Sequence, residues 1–539
     1  MGGPLTFNTA ARSWSGTGAS SRWEFAVLSC FSGILLCLAL QPRPLFYGQQ
    51  NTYFLHGLAT AGYGALDQDW MASTKSPIPV FDALVEFTWL ALGNTGFYLL
   101  HAALFILLAA ALLLLLRSSR LEVGSGWSGP LIVFTALAAI WGWINPLRGL
   151  SAWTRDGFAL QTIVPDKLEP SSFGVLLLAS IALFASKRTG FACAAAALAS
   201  LIHPTYLVSS TVLVLVYLAI SIVLERQIIA ALGAGVVYIA LVSPIVVFLL
   251  VVFSPTDAES YRKAAEILAF QRDPHHALPQ VWFTRYVVIQ VAIIALGILA
   301  WIGPHRHLAY ALAASSCAIL LLTMIAVLVD SAAFYLLFPW RLSVVLVPVA
   351  TLGIVSRVLD VIQRRLAIRR FSGVFRVTGV ALAAALFISS GALTLNAGAK
   401  RGPPEYNDPG YEALVRMVSV DSDPTAVYLY PPELFQSFRL RTGHPIVVDI
   451  KSHPFKDVEV LAWWARLQWA DRFFAGDACQ DVPAPYEFNR IVLPQTPGAI
   501  DPLILVSTDL LRRCLLSSGH WRSSVSVLGY EVLVKMTGE

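Results

Sequence analysis

Two carboxylates, Asp67 and Asp69, stand two residues apart and are followed at once by Trp70. They close a segment, 53–66, in which Tyr, Phe, Leu, His56 and Ala fall at mixed helical spacing, as in a helix lying along a membrane surface. At the end of such a helix one carboxylate could serve as a general base while the other holds a metal ion or an acceptor hydroxyl. The alternative is a solvated turn closing a short helix, since the pattern is brief and frequent. The choice depends on what positions the segment.

The positioning elements are apolar. The chain has 539 residues, of which 56% are hydrophobic and 13% charged, against roughly 25% charged in ordinary soluble domains. With a mean hydropathy of +0.66, this composition excludes a soluble enzyme and a disordered chain and leaves a polytopic α-helical membrane protein. About 11 spans are expected, at 25–40, 98–116, 130–144, 173–185, 190–202, 206–224, 228–253, 286–302, 308–329, 342–355 and 377–395. His203-Pro204 divides two of them, so that pair reads as broken or re-entrant. The first span, preceded by Arg22 and lacking a small-residue cleavage site before Gln41, reads as a retained signal-anchor.

Charge fixes the orientation. With the N-terminus inside, the inner loops carry Arg117, Arg120, Lys187, Arg188, Arg226, Arg306, Arg357 and the arginines of 364–376, against few acids. The outer loops are balanced or acidic. The expected topology is N-in and C-out, in a bacterial inner (cytoplasmic) membrane. The net charge of +5 is then a sidedness signal beside anionic lipid, and no nucleic-acid partner is needed to explain it.

The composition changes near 397. A membrane domain of 1–396, whose first outside loop is 41–89, gives way to an extracytoplasmic α/β domain at 397–539. Strands are expected at 425–430, 445–449, 490–493, 503–507 and 526–535, with helices starting near Pro432 and over 456–474. Cys479 and Cys514 are the only cysteines of that domain, and an oxidising compartment permits a disulfide between them. The other four lie in apolar spans and read as small hydrophobes. P-loop, dinucleotide, nucleophile-elbow and HExxH patterns are absent.

An acidic DxD motif in a long first outside loop, many spans and a C-terminal outside domain together resemble the GT-C superfamily of polyprenyl-phosphate-dependent membrane glycosyltransferases. The resemblance covers the topology of the whole chain but only a few residues of motif, and the two acids are not adjacent. It implies transfer of a sugar from a polyprenyl-phosphate donor to an extracytoplasmic lipid, glycan or protein acceptor. Asp69, or else Asp67, would take the acceptor's proton, and a divalent cation, Mg or Mn, is a candidate cofactor. Such a donor leaves a lipid phosphate, so cations are required near the outer leaflet. Arg272, His275 and His276 in one outside loop meet that demand, as does Arg341 in Phe338-Pro339-Trp340-Arg341. The alternatives are a solvated polar loop for the first group and a snorkelling anchor for the second. Glu169, and Asp166 near it, could assist the first-loop acid, and His56 counts among the substrate-binding groups.

The tail run from Phe438 to Arg472 carries Arg439, Asp449, Lys451, His453, Trp463 and Trp464. It reads either as an acceptor-binding lid or as the buried face of an amphipathic helix. Two other functional classes stand beside the enzyme: a transporter or flippase for lipid-linked glycans, and a non-catalytic membrane assembly protein. Only His203-Pro204 resembles the midplane breaks of transporters.

Overall fold

The computed structural model describes residues 19–40, 44–121, 123, 128–143, 148–365, 381, 385, 407–421, 423–475, 485–495 and 502–536. Ten of the eleven expected spans coincide with helices there, and the eleventh, 377–395, falls outside the described residues except at 381 and 385. Among the described residues six helices are long and apolar enough to cross a membrane: Pro79–Ser118, Pro204–Val223, Ile228–Val252, Arg285–Ile302, Arg306–Val329 and Ala332–Arg364. Ser128–Trp141, Pro170–Ala185 and Thr189–Ile202 are equally apolar but shorter. Leu and Ala favour helix, and without water the backbone must satisfy itself along each segment. Ile229, Leu250 and Leu328 stay exposed on the long helices, as side chains facing lipid do. The tightly packed core between helices includes Trp141, Trp301 and Trp340.

Two local breaks matter. The helix Pro79–Ser118 turns at Gly93, whose φ of 58° only glycine adopts freely, so the end of the first outside loop is already helical. His203, in extended backbone, separates Thr189–Ile202 from the turn Pro204–Tyr206, as the His-Pro pair suggests.

The loops sort into two groups. Those expected inside meet one another: Lys187 pairs with Glu225, His307 lies 2.8 Å from the same carboxylate, and His305 donates to the Ala185 carbonyl. The loops expected outside meet one another and the C-terminal region, as described below.

In the C-terminal region β1 (Tyr428–Leu429), β2 (Arg490–Pro494), β3 (Trp521–Val527) and β4 (Tyr530–Lys535) form one sheet in the order β1-β2-β4-β3. β1 and β2 run parallel and the other pairs antiparallel. Alternate residues feed two cores. Leu429, Ile491, Leu493 and Leu533 pack with Trp463 and Leu467 of the helix Asp457–Phe474. Tyr428, Tyr430, Val492 and Val532 pack with Tyr411, Leu414 and Val415 of the helix Pro409–Val418.

Four expectations change. Segment 503–507 belongs to the helix Pro502–Ser517, because its apolar run continues into Leu511 and Leu515 at helical spacing. The strand at 526–535 is a hairpin turning at Leu528 and Gly529, both with positive φ. Around Pro432 there is a turn, and the helix starts at Phe438. Segment 445–449 forms no strand and contributes the isolated bridge between Tyr428 and Ile446. Cys514 is disulfide-bonded, while Cys479 lies outside the described residues. Cys30, Cys37, Cys193 and Cys317 are free.

Candidate functional site

Loop 41–89, expected to be the first outside loop, contains two short helices, Gln50–Tyr53 and Leu55–Thr60, and then the turn Leu66–Gln68. Phe54, Leu55, Leu58 and Leu66 anchor it in the membrane-side core. Asp67, on the turn, is exposed, whereas Asp69, in extended backbone just after it, is sealed. Its Oδ1 accepts from Met71 N at 2.8 Å, and its Oδ2 accepts from Ile446 N at 2.9 Å and lies 3.0 Å from Arg439 Nε. The other end of the same guanidinium, Nη2, is 3.3 Å from Asp449 Oδ2, and Asp449 Oδ1 accepts from Ser452 N at 2.5 Å. Burial pushes the Arg439 guanidinium toward the neutral form, but Asp69 and Asp449 together hold its pKa above the ordinary value. His56 belongs to this network electrostatically. Its Nε2 donates to the Thr74 carbonyl at 3.0 Å, and burial, offset in part by that bond and by Asp69, holds its pKa low.

The closeness of these chain segments depends on glycine. Gly64, at φ 61°, lies so near Gly443 that a Cβ on it would stand 2.3 Å from the Gly443 carbonyl oxygen, which accepts from Ala65 N at 2.8 Å. Beside this seam, Arg466 is sandwiched between Trp70 and Tyr486, with 4.2 and 4.3 Å from its guanidinium carbon to the ring centroids.

A second cluster draws on five loops and the C-terminal region. Arg272 and Asp273 follow the helix Ala258–Glu266, with Arg272 Nη1 at 2.9 Å from Asp273 Oδ1. Arg272 Nη2 donates to the Lys451 carbonyl at 2.9 Å, and Thr52 Oγ1 donates to the same oxygen at 3.1 Å. His453 Nε2 lies 4.0 Å from Asp273 Oδ2. His276 Nδ1 donates to the Ala159 carbonyl at 2.9 Å, and its ring is 4.1 Å from that of His275. Arg341 Nη1 donates to Thr205 Oγ1 at 2.5 Å, with its guanidinium 5.4 Å from the Tyr206 ring centroid. His203 lies between Tyr206 and Tyr53, with ring separations of 5.3 and 6.3 Å. Glu169 caps the turn Pro170–Gly174; its Oε1 accepts from Ser171 Oγ at 2.6 Å, while its buried Oε2 has no hydrogen-bond partner.

These groups act on one another. Burial raises the Tyr53 phenol, Glu169 and Asp273 add to that, and Arg341 and Arg272 oppose it. Burial, then Arg272 and Lys167, lower the Lys451 ammonium, against Asp273 and Glu169. Burial and then Arg272 bring His453 down to about 4, and burial and then His275 bring His276 to about 4, so both are neutral at pH 7. Burial alone would raise Asp273, yet Arg272 and the surrounding histidines hold it below its ordinary value. Lys167, Arg272, Arg341 and Lys451 thus outnumber Glu169 and Asp273, which makes the cluster a place for an anion.

Of the residues expected from sequence, Arg272, His275, His276, Arg341 and Glu169 therefore come together. Asp69 and His56 belong to the neighbouring network, and Asp67 to neither. Lys167, His203, Lys451 and His453 are visible in the sequence as separate loop or tail charges, with no signal joining them to Arg272. Among the described residues no three His, Cys, Asp or Glu side chains converge as metal ligands. A cavity of about 380 Å³ lined by Pro431, Pro432, Glu433, Asp471 and Phe474 shares no residue with either cluster.

Residues 410–470 match the family model described as "Domain of unknown function (DUF6798)", a stretch that includes Arg439, Asp449, Lys451 and His453. The chain is similar to the crystal structure of ArnT from Cupriavidus metallidurans bound to undecaprenyl phosphate, at 13% identity and a TM-score of 0.46, covering 96% of this chain and 98% of that one. It is similar to the apo state of the same protein at 12% identity, with the same TM-score and coverage. No curated protein matches it.

Proposed function

We propose that this chain is a membrane glycosyltransferase of the GT-C type, taking its sugar from a polyprenyl-phosphate donor and passing it to an acceptor on the extracytoplasmic side of a bacterial inner membrane. The observation that carries this reading is the gathering of Arg272 and Arg341 about Tyr53, with Lys451 and Lys167 beside Arg272 and the unpartnered Glu169 oxygen among them, at the ends of apolar helices. A prenyl chain can lie against such helices while its phosphate meets the cations. In the reaction, the acceptor oxygen attacks the anomeric carbon as its proton passes to a carboxylate. The bond from that carbon to the phosphate oxygen breaks, and the electron pair leaves with the phosphate, whose growing charge the cations stabilise. The base assigned from sequence to Asp69 or Asp67 passes in this proposal to Glu169. Both Asp69 oxygens already serve backbone N–H groups and Arg439, and Asp67 is an exposed turn residue.

The test is donor turnover by the full chain in lipid nanodiscs, read as free polyprenyl phosphate released from a panel of polyprenyl-phosphate hexoses and pentoses in the presence of membrane extract. Glu169→Gln lowers turnover by roughly 10²–10⁴-fold, the range of general-base contributions, with donor binding retained. Turnover unchanged in Glu169→Gln overturns the base assignment. A wild-type chain that turns over none of the panel but carries the intact donor across the bilayer replaces the enzyme with a transporter.

A further inference from the structure

Three charged side chains, Asp69, Arg439 and Asp449, are buried side by side where the first outside loop meets the C-terminal region. Burying such groups gains little stability over apolar packing, so their value is in fixing one arrangement of chain. What they fix is the strap 449–453. Asp69 Oδ2 holds Ile446 N and Arg439; Arg439 reaches Asp449; Asp449 Oδ1 holds Ser452 N, and its carbonyl accepts from Trp463 Nε1 at 3.1 Å. Between Asp449 and His453 stands Lys451, whose carbonyl is clamped by Arg272 and Thr52, while its ammonium feels the cations Arg272 and Lys167 and the acids Asp273 and Glu169. Asp273 is itself paired with Arg272 at 2.9 Å, and an anion arriving beside Lys451 would relieve its repulsion from Arg272 and Lys167.

We propose that Lys451 is a ligand of the donor's phosphate group and that Asp69 is the positioning residue that aims it, through Arg439 and Asp449. This deepens the glycosyltransferase reading and rests on it for the identity of the anion. The C-terminal region then completes the binding site, and the first-loop acid acts on substrate only through Lys451.

The experiment compares the full chain in nanodiscs with Lys451→Ala, Asp69→Asn and the double variant. Affinity is measured for free polyprenyl phosphate and for the neutral polyprenol, alongside amide hydrogen exchange over 449–453. Lys451→Ala weakens phosphate binding about 10–100-fold, the scale of one charge-assisted contact, and Lys451→Arg restores most of it. Asp69→Asn weakens phosphate binding and speeds exchange over 449–453, but adds less than about twofold when Lys451 is already alanine. Neither single variant alters polyprenol binding, which a general loss of structure would lower in step. Multiplying effects in the double variant overturn the proposal, as does Asp69→Asn with wild-type phosphate affinity and no turnover, which would make Asp69 the base. A wild-type chain that does not prefer the phosphate to polyprenol sinks the functional reading. Exchange over 449–453 then decides the positioning role alone, with unchanged protection in Asp69→Asn overturning it. Should Asp69→Asn fail to fold, Asp449→Asn makes the same test from the next link.

Discussion

Replacing Arg439 with Met removes the one cation between two sealed carboxylates and keeps most of the side chain's volume. At an effective dielectric of about 20, unit charges separated by the observed 3.0 and 3.3 Å attract by about 5 kcal/mol per pair before desolvation is counted. Removing one member of a buried ion pair costs about 3–5 kcal/mol. Here three backbone N–H groups, those of Met71, Ile446 and Ser452, still serve the carboxylates, which points to the lower half of that range. At about 1 °C per kcal/mol for a chain of 539 residues, the Arg439→Met chain melts about 3–4 °C below wild type in detergent, followed by tryptophan fluorescence. Adding Asp69→Asn recovers part of the loss, because one uncompensated charge remains in place of two. Arg439→Lys falls between, since an ammonium cannot present the fork that spans both acids. Two results refute the reasoning: a melting point for Arg439→Met within about 1 °C of wild type, far inside the shift expected for a buried charge, or a second loss when Asp69 is neutralised.

Other consequences follow from the same contacts. His453 and His276 have folded pKa values of about 4, below the unfolded value of about 6.5. Their contribution to stability is present above pH 6.5 and is lost as the pH falls through about 4. Melting temperature therefore drops between pH 6.5 and 4, and His453→Asn makes the drop shallower; an equally steep drop would show that other groups drive it. Gly64→Ala must move the Gly443 backbone, whereas Gly62→Ala, at φ 72° with nothing within 4 Å, bears only the strain of its backbone. Gly62→Ala thus costs on the order of 1–2 kcal/mol, and Gly64→Ala opens the seam to limited proteolysis; equal protease resistance in the two variants contradicts the close approach. Trp70→Leu keeps an apolar contact but loses the ring face over Arg466, a loss of about 0.5–2 kcal/mol. Trp70→Phe keeps most of it, and equal melting points for the two would remove the cation–π account.

The helices were legible because their signal is local. Apolar runs such as 228–253 and 308–329 return as Ile228–Val252 and Arg306–Val329 to within a residue or two, and His203-Pro204 marks a break where it occurs, whereas the turn at Gly93 was not read from the sequence. The C-terminal region was harder to read, since Leu503 to Ser507 alone fits strand and helix equally and only the continuation to Leu511 and Leu515 decides. The basic and histidine-bearing loops Arg272 to His276 and Arg341 were legible as candidates because a lipid phosphate requires cations. Their partners were not: Lys451 reaches Arg272 across 179 positions, and Asp69 takes Ile446 N across 377, distances at which a single sequence carries no pairing signal.

Asp69 shows why an acid in the expected place says little about its role. Sequence sees a carboxylate after a short helix and cannot see whether water or a guanidinium stands opposite. Here the guanidinium comes from the helix Phe438–Thr442, whose Leu440 is buried in the membrane-side core, so that helix and the first outside loop pack as one body. Removing the C-terminal region would therefore not isolate a membrane enzyme from an accessory module. It would leave Asp69 without a counter-charge and withdraw Lys451 and His453 from the loops they join. A truncated chain that lost activity would be uninformative for that reason, and the point substitutions at Lys451 and Asp69, read as phosphate binding against polyprenol binding, separate what the C-terminal region does to the substrate from what it does to the fold.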